Sequence, residues 1–254
     1  MLTPNHPTTT NSITFLYRYL PLEPDNHKYL NRILDIINYH RLYASRPSDF
    51  NDPFDCRVKI EGDSLNRQSE IQTRVDERAG VICFCEDNNN ILLWAHYSNK
   101  HYGICLEFNV NQWKSTRRIN LEKVKYTMER PLITQDDLRR ASSPRHSIPG
   151  SSFGPPQVDE NDSLNFLRKM AFTKHKDWEY EKEWRIICSF SDPSNRSIPF
   201  PEEKVLTGVI FGLKTSNNDR HQILKAINNS RDPITPYRAI EDETSFIVKI
   251  VPFE

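Results

Sequence analysis

Short runs of aromatic and β-branched residues recur along this chain, and helical periodicities separate some of them but not all. Phe15-Leu16-Tyr17-Arg18-Tyr19-Leu20 predicts a strand stopped by Pro21, with the cation Arg18 on one of its faces. Leu30, Ile33, Leu34 and Ile37 follow at helical spacing, so a helix capped by Asp25 or Asn26 is expected to run to about His40. Further strands are expected at 41–44, 81–85, 102–108, 124–127, 183–190, 205–211, 237–240 and 246–251. Further helices are expected at 66–77, where Gly80 ends the pattern, and at 91–97, 163–173 and 218–228. Strict strand–helix–strand alternation is missing. The expected class is therefore α+β, a twisted, mostly antiparallel central sheet with peripheral helices in one domain over 15–254. Residues 1–14 read as a disordered tail, and the Ser/Pro/Gly-rich stretch 142–158 as a flexible loop.

Composition closes several routes. Lys+Arg and Asp+Glu both number 34, so the formal net charge is zero and a strongly basic nucleic-acid binder is a poor description of the whole chain. Only 7 glycines occur, in neither a G-x-x-x-x-G-K-[ST] nor a G-x-G-x-x-G arrangement. A phosphate loop and a standard dinucleotide-binding turn both need glycine where backbone touches phosphate. No apolar run approaches the roughly 20 residues of a membrane span, and the polar N-terminus lacks a signal-peptide core. The 5 cysteines, mostly inside apolar runs and without C-x-x-C spacing, fit a reduced, cytoplasmic protein.

Four segments carry possible chemistry. Trp178-Glu179-Tyr180-Glu181-Lys182-Glu183-Trp184-Arg185 places carboxylates at every second position. If the following strand extends that far, Glu181 and Glu183 share a face. Like charges so placed need a cation, a proton or water between them. The bland alternative is a solvated strand edge, and the flanking tryptophans favour a cleft. Ser48-Asp49-Phe50-Asn51-Asp52-Pro53-Phe54-Asp55 reads as a turn-rich loop with Phe50 and Phe54 plugged into the core, and its spacing fits no calcium loop. Cys83 and Cys85 lie near His96 and His101, but match no zinc pattern, and His96 reads as a packed residue at a helix end. Arg18, and Arg46 in the later loop, are the cations suited to grip phosphate or to pair with a glutamate. No metal site is expected.

The segments LYRYL, LYASRPSDFNDPFD, VICFCEDNNNILLWAHYSNKHYGICLEF, WEYEKEWRI and VIFGLK together resemble a widespread bacterial domain family of unknown function, over about 15–215. Cys85 and Ala95 stand where that pattern commonly has serine. The order of an arginine strand, a middle strand with a small polar residue and a late E-x-E is similar to the ADP-ribosyltransferase superfamily. That resemblance implies an ADP-ribosyltransferase-like fold. It implies Arg18 as the NAD anchor, Cys83 or Cys85 at the middle-strand position, Glu181 as the first Glu of E-x-E and Glu183 as the catalytic last.

Under this reading Glu183 stabilises the oxocarbenium charge of nicotinamide–ribose cleavage, while Glu181 orients or deprotonates the acceptor. Arg18 clamps pyrophosphate, and Trp94, Tyr97 or Tyr102 stacks on a ring. Loop residues Ser48, Asp49, Asn51, Asp52 and Asp55, with the 83–97 segment and its His96, line the same cleft. The leading expectation is an NAD-consuming transferase or glycohydrolase, a toxin or phage-defence effector, with NAD as substrate, no tightly bound cofactor and a protein, nucleic acid or water as acceptor. The alternatives are a non-enzymatic ligand-binding or interaction module, and a metal-dependent nucleotide or nucleic-acid hydrolase. Glu183→Gln is expected to abolish activity and leave folding intact.

Overall fold

The computed structural model describes residues 13–23, 26–62, 65–116, 120–142, 167–190, 192, 194–201 and 204–254. The elements run β1 (Phe15–Leu20), α1 (His27–Tyr39), β2 (Arg41–Tyr43), β3 (Lys59–Ile60), α2 (Leu65–Arg78), β4 (Ala79–Cys85), α3 (Ile91–Tyr97), β5 (Ile104–Asn109) and α4 (Val110–Thr116). They continue with β6 (Leu121–Lys123), β7 (Lys125–Thr127), β8 (Leu132–Ile133), α5 (Gln135–Ser142), β9 (Thr173–His175), β10 (Glu183–Ser189), β11 (Ser197–Pro199), β12 (Leu206–Phe211), α6 (Asn217–Asn229), β13 (Thr235–Glu241) and β14 (Val248–Pro252). Mixed helices and strands around a large, mostly antiparallel sheet match the expected class.

The central sheet has 8 strands in the order β14-β13-β12-β5-β1-β4-β10-β6. Only β12 and β13 pair in parallel within it. Its two faces are packed differently. Leu16, Ile82, Phe84, Leu106 and Phe108 share one core with Leu30, Ile33 and Ile37 of α1. Ile33 and Ile37 are fully buried there. Burial of each contributes about 2–3 kcal/mol, which holds α1 on this face. On the opposite face Cys85, Cys105 and Ile210 pack under Leu93 and Trp94 of α3. A third core joins Val81 and Ile187 to Cys56, Met170 and Phe172.

Local signals explain the helix starts. Asn26 caps α1 by accepting from the Lys28 amide, and Asn90 caps α3 by accepting from the Leu92 and Leu93 amides. The expected cap Asp25, the 1–12 part of the tail, and residues 143–166 of the expected loop and helix lie outside the described residues. Of the helix expected over 163–173, residues 167–171 are helical, but Thr173 begins a strand. Gly80 does not end a helix. It is the second residue of β4, and α2 passes into that strand directly. Phe190 and Ala44 crowd its α-carbon, so a β-carbon has no room there.

One seam of the sheet matters for the sites. β4 pairs with β10 along its whole length, from Glu183↔Cys85 to Ser189↔Ala79. Against β1 it keeps the single pair Tyr17↔Cys85. The edge that β1 leaves open is taken in part by Ser45, which exchanges backbone bonds of 3.0 and 2.9 Å with Val81.

Candidate functional site

The E-x-E segment does not form one strand. Lys176–Glu181 is a 3-10 turn, and Lys182 follows it in the left-handed region at φ 46°. Glu181 therefore ends the turn and Glu183 begins β10. Strand alternation cannot bring them together, and a shared cation does so instead. Lys174 Nζ, from β9, lies 2.5 Å from Glu181 Oε2, 3.2 Å from Glu183 Oε2 and 3.5 Å from Asp55 Oδ2.

Arg185 completes the cluster. Its guanidinium donates to both oxygens of Glu183, at 2.9 and 2.8 Å, and to both oxygens of Asp55, at 2.9 and 2.6 Å. A further bond of 2.7 Å reaches the Ala171 carbonyl. Tyr97 donates to Glu181 Oε1 at 2.5 Å, and the Glu183 amide donates to Tyr126 Oη at 2.8 Å. Asp55, Lys174, Glu181, Glu183 and Arg185 are all buried. Charges so removed from water persist only with close partners on every lone pair, and here nearly every one is filled.

The electrostatics separate the two glutamates. Burial works against ionisation of Glu183, but Arg185 and Lys174 outweigh it and hold the carboxyl down at about 2. Burial pushes Glu181 above the ordinary carboxylate range, and Lys174 offsets this only in part while Glu183 adds to it. Burial also acts against the charge of Lys174, but Glu183, Tyr97 and Glu181 raise it overall. Three carboxylates face two cations in this cluster. A proton on Glu181 would balance the charge, in keeping with its raised pKa. Opposed shifts of paired carboxyl groups occur both in acid–base sites and in structural ion-pair networks.

Beside the cluster opens a cleft of about 780 Å³, lined by Asn51, Asp52, Phe54, Arg57, Met128, Arg130, Lys174, His175, Trp178 and Tyr180 among others. Lys174 is the one cluster member on its wall. Its Nζ lies 4.9 Å from the Trp178 ring centre. The Arg130 guanidinium stacks 5.4 Å from the Phe54 ring centre. Phe54 is 63% exposed, so the expectation that it plugs the core is corrected. Phe50 does pack inward, with the Arg185 guanidinium 5.3 Å from its ring.

The remaining expected residues scatter. Asp55 joins the cluster, while Asn51 and Asp52 line the cleft; Asp52 caps its own turn by accepting from the Phe54 amide at 2.8 Å. Ser48, Asp49 and Arg46 are exposed around the 3-10 turn Pro47–Asp49. Cys85 is buried, its thiol pushed up by burial and bonded to the Tyr17 and Asp87 carbonyls. Trp94 is 0% exposed and donates to the Asn88 carbonyl at 2.8 Å, so it cannot stack on a ligand. Tyr102 is exposed against Lys214, on the wall of a different, smaller cavity. His96 is exposed on α3, with its ring 6.2 Å from that of Trp178.

Arg18 is outside the cluster. Tyr17 pairs with Cys85 and Cys85 with Glu183, so these three share a sheet face and Arg18 starts from the other. It feels the charge of Glu183, yet its hydrogen bonds go to carbonyls. Lys174 was missed in the sequence because it stands in a three-residue strand too short to show a period, and Tyr126 because its expected strand gives no sign of what its hydroxyl meets.

Residues 93–186 match the family described as a protein of unknown function (DUF2971). The DUF2971 stretch holds Tyr97, Tyr126, Lys174, Glu181, Glu183 and Arg185, so it contains the ion cluster apart from Asp55. It is narrower than the range of motifs over 15–215. No curated protein and no solved structure matches the chain. Nothing in the DUF2971 description bears on ADP-ribosyl transfer. Among the described residues no helix is long and apolar enough to cross a membrane, and no group of His, Cys, Asp and Glu is arranged to hold a metal ion.

Proposed function

We propose that this protein binds a nucleotide-class ligand in the cleft beside Lys174, with NAD as the first ligand to test. The observation that carries the reading is the lining. Three aromatic rings, Phe54, Trp178 and Tyr180, line the cleft with Arg57, Arg130 and Lys174 and with the carboxylates Asp52, Glu129 and Asp177, and neither arginine has a carboxylate partner among the described residues. Rings can stack on a base and guanidinium groups can hold phosphate. The volume lies within the usual few hundred to about 1,000 Å³ of small-molecule sites.

A second reading, NAD cleavage, rests on the opposed pKa directions of Glu181 and Glu183. In it Lys174 is the group that meets the substrate at the cleft wall, and Glu181 and Glu183 are positioning residues because Tyr97, Arg185 and Lys174 itself occupy their oxygens. A divalent-metal hydrolase is the weaker alternative, since Lys174 and Arg185 already bridge the three buried carboxylates.

The test is calorimetric titration of the full chain with NAD and with AMP, followed by quenching of tryptophan fluorescence. Saturable binding that Trp178→Ala weakens by about tenfold or more supports the cleft. Folded wild type that binds neither at millimolar concentration overturns it. NAD consumption, with and without cell extract, that is lost in Glu181→Gln would support cleavage as well as binding.

A further inference from the structure

The seam between β1 and β4 holds a cation that the ion cluster does not use. Arg18 Nη1 donates to the Cys83 carbonyl at 3.1 Å and Nη2 to the Tyr43 carbonyl at 3.4 Å. Its Nε is buried and has no hydrogen-bond partner. No carboxylate among the described residues pairs with it. A guanidinium carries five N–H donors, and two carbonyls leave most of them unanswered. An ionised group withdrawn from water without a counter-charge is costly, and natural interiors supply one.

Arg18 as a whole is half-buried, and two fully buried arginines show what completion looks like. Arg185 is saturated by Asp55, Glu183 and a carbonyl. Arg196 reaches carbonyls with all three nitrogens, those of Ala44, Glu77 and Ala79. Arg18 matches neither pattern.

A second cation acts on it electrostatically. Arg32, on α1, places its guanidinium 4.3 Å from the ring centre of Tyr43, the residue whose carbonyl Arg18 bonds. Arg32 likewise has no carboxylate partner among the described residues, and the two guanidinium groups repel. Burial, and then Arg32, lower the pKa of Arg18, while Cys83 and Glu183 offset only part of this. Two guanidinium groups without a carboxylate partner among the described residues, one of them with an unanswered Nε–H, suit an oxyanion.

We propose that Arg18 and Arg32 form a site for a phosphate-type oxyanion at the β1–β4 seam, separate from the cleft beside Lys174. The planar fork of Arg18 would present Nε and an Nη hydrogen to two oxygens of the anion, and Arg32 would close on it from α1. The site does not rest on the nucleotide reading, because its residues start from the opposite sheet face.

Thermal unfolding and calorimetry of the full chain, with inorganic phosphate and with AMP at matched ionic strength, test this. Wild type should bind phosphate saturably and unfold at a higher temperature, beyond the shift seen with equal chloride. Arg32→Gln, a half-exposed position that should fold, should weaken phosphate binding by about tenfold or more, and Arg18→Lys, which keeps the charge but loses the fork, should do the same. Trp178→Ala should leave phosphate binding unchanged. AMP binding at the seam that exceeds phosphate binding and survives Trp178→Ala would identify a phosphoester; equal binding would identify the free anion. Phosphate binding that is absent, that persists in Arg32→Gln, or that disappears in Trp178→Ala would overturn the proposal. The last result would place the anion in the cleft and leave the nucleotide reading standing.

Discussion

Glu181 and Glu183 share one ammonium group: Lys174 Nζ is 2.5 Å from the first and 3.2 Å from the second. The left-handed Lys182 between them turns the chain so that the end of a 3-10 turn and the start of a strand meet over a single cation. Arg185 and Lys174 then hold Glu183 ionised against its burial, while burial favours the proton on Glu181.

Glu183→Gln should destabilise the fold, because it leaves the buried Arg185 and Lys174 short of an anion. The cost of breaking such a pair is about 3–5 kcal/mol. Urea unfolding monitored by circular dichroism measures it. A loss below about 1 kcal/mol would show that the cluster is not structural. This departs from the sequence expectation that the substitution leaves folding intact.

Stability should depend on pH through both glutamates, with opposite signs. The folded pKa of Glu183 is lowered to about 2, so its contribution is present above the ordinary carboxylate range and is lost as pH falls toward that value. The folded pKa of Glu181 is raised, so its contribution is present below the ordinary carboxylate range and is lost as pH rises through the folded value. Urea midpoints across pH should therefore show an acid limb that flattens in Glu183→Gln. Glu181→Gln should instead flatten the decline on the less acidic side. Unchanged profiles in both variants would contradict the assigned directions.

Tyr97→Phe removes one donor from Glu181 and leaves Lys174 in place. A loss of about 1–2 kcal/mol is expected, less than for Glu183→Gln. Denaturant midpoints of the two variants, measured side by side, give the ranking, and a reversed order would put the main anchor of the cluster at Glu181.

Gly103→Ala tests the turn that aligns α3 with β5. A β-carbon there would collide with the Leu20 carbonyl oxygen, which is backbone and cannot rotate away. A cost of about 3 kcal/mol or more is expected, seen as a lowered melting temperature or poor soluble yield. A stable variant would mean that the β1–β5 pairing yields more readily than the six-residue register from Phe15↔Asn109 to Leu20↔Ile104 suggests.

What the sequence determined by itself were the properties carried by neighbours along the chain. The spacing of Leu30, Ile33 and Ile37, the caps Asn26 and Asn90, and the apolar strands expected at 15–20, 81–85 and 205–211 all follow from local periodicity and turn chemistry. The late glutamates and the Asp55 loop were legible as unusual charge, and the structure brings them into one cluster. Only tertiary structure decided their partners. Lys174 and Tyr97 come from elements remote from Asp55, and no sequence period records a contact across such a separation. Strand register decided that Arg18 departs from the face of Glu183, since a shift of one residue reverses the face of every side chain. Trp94 and Phe54 exchanged their expected places for the same reason: burial depends on what the rest of the chain leaves uncovered.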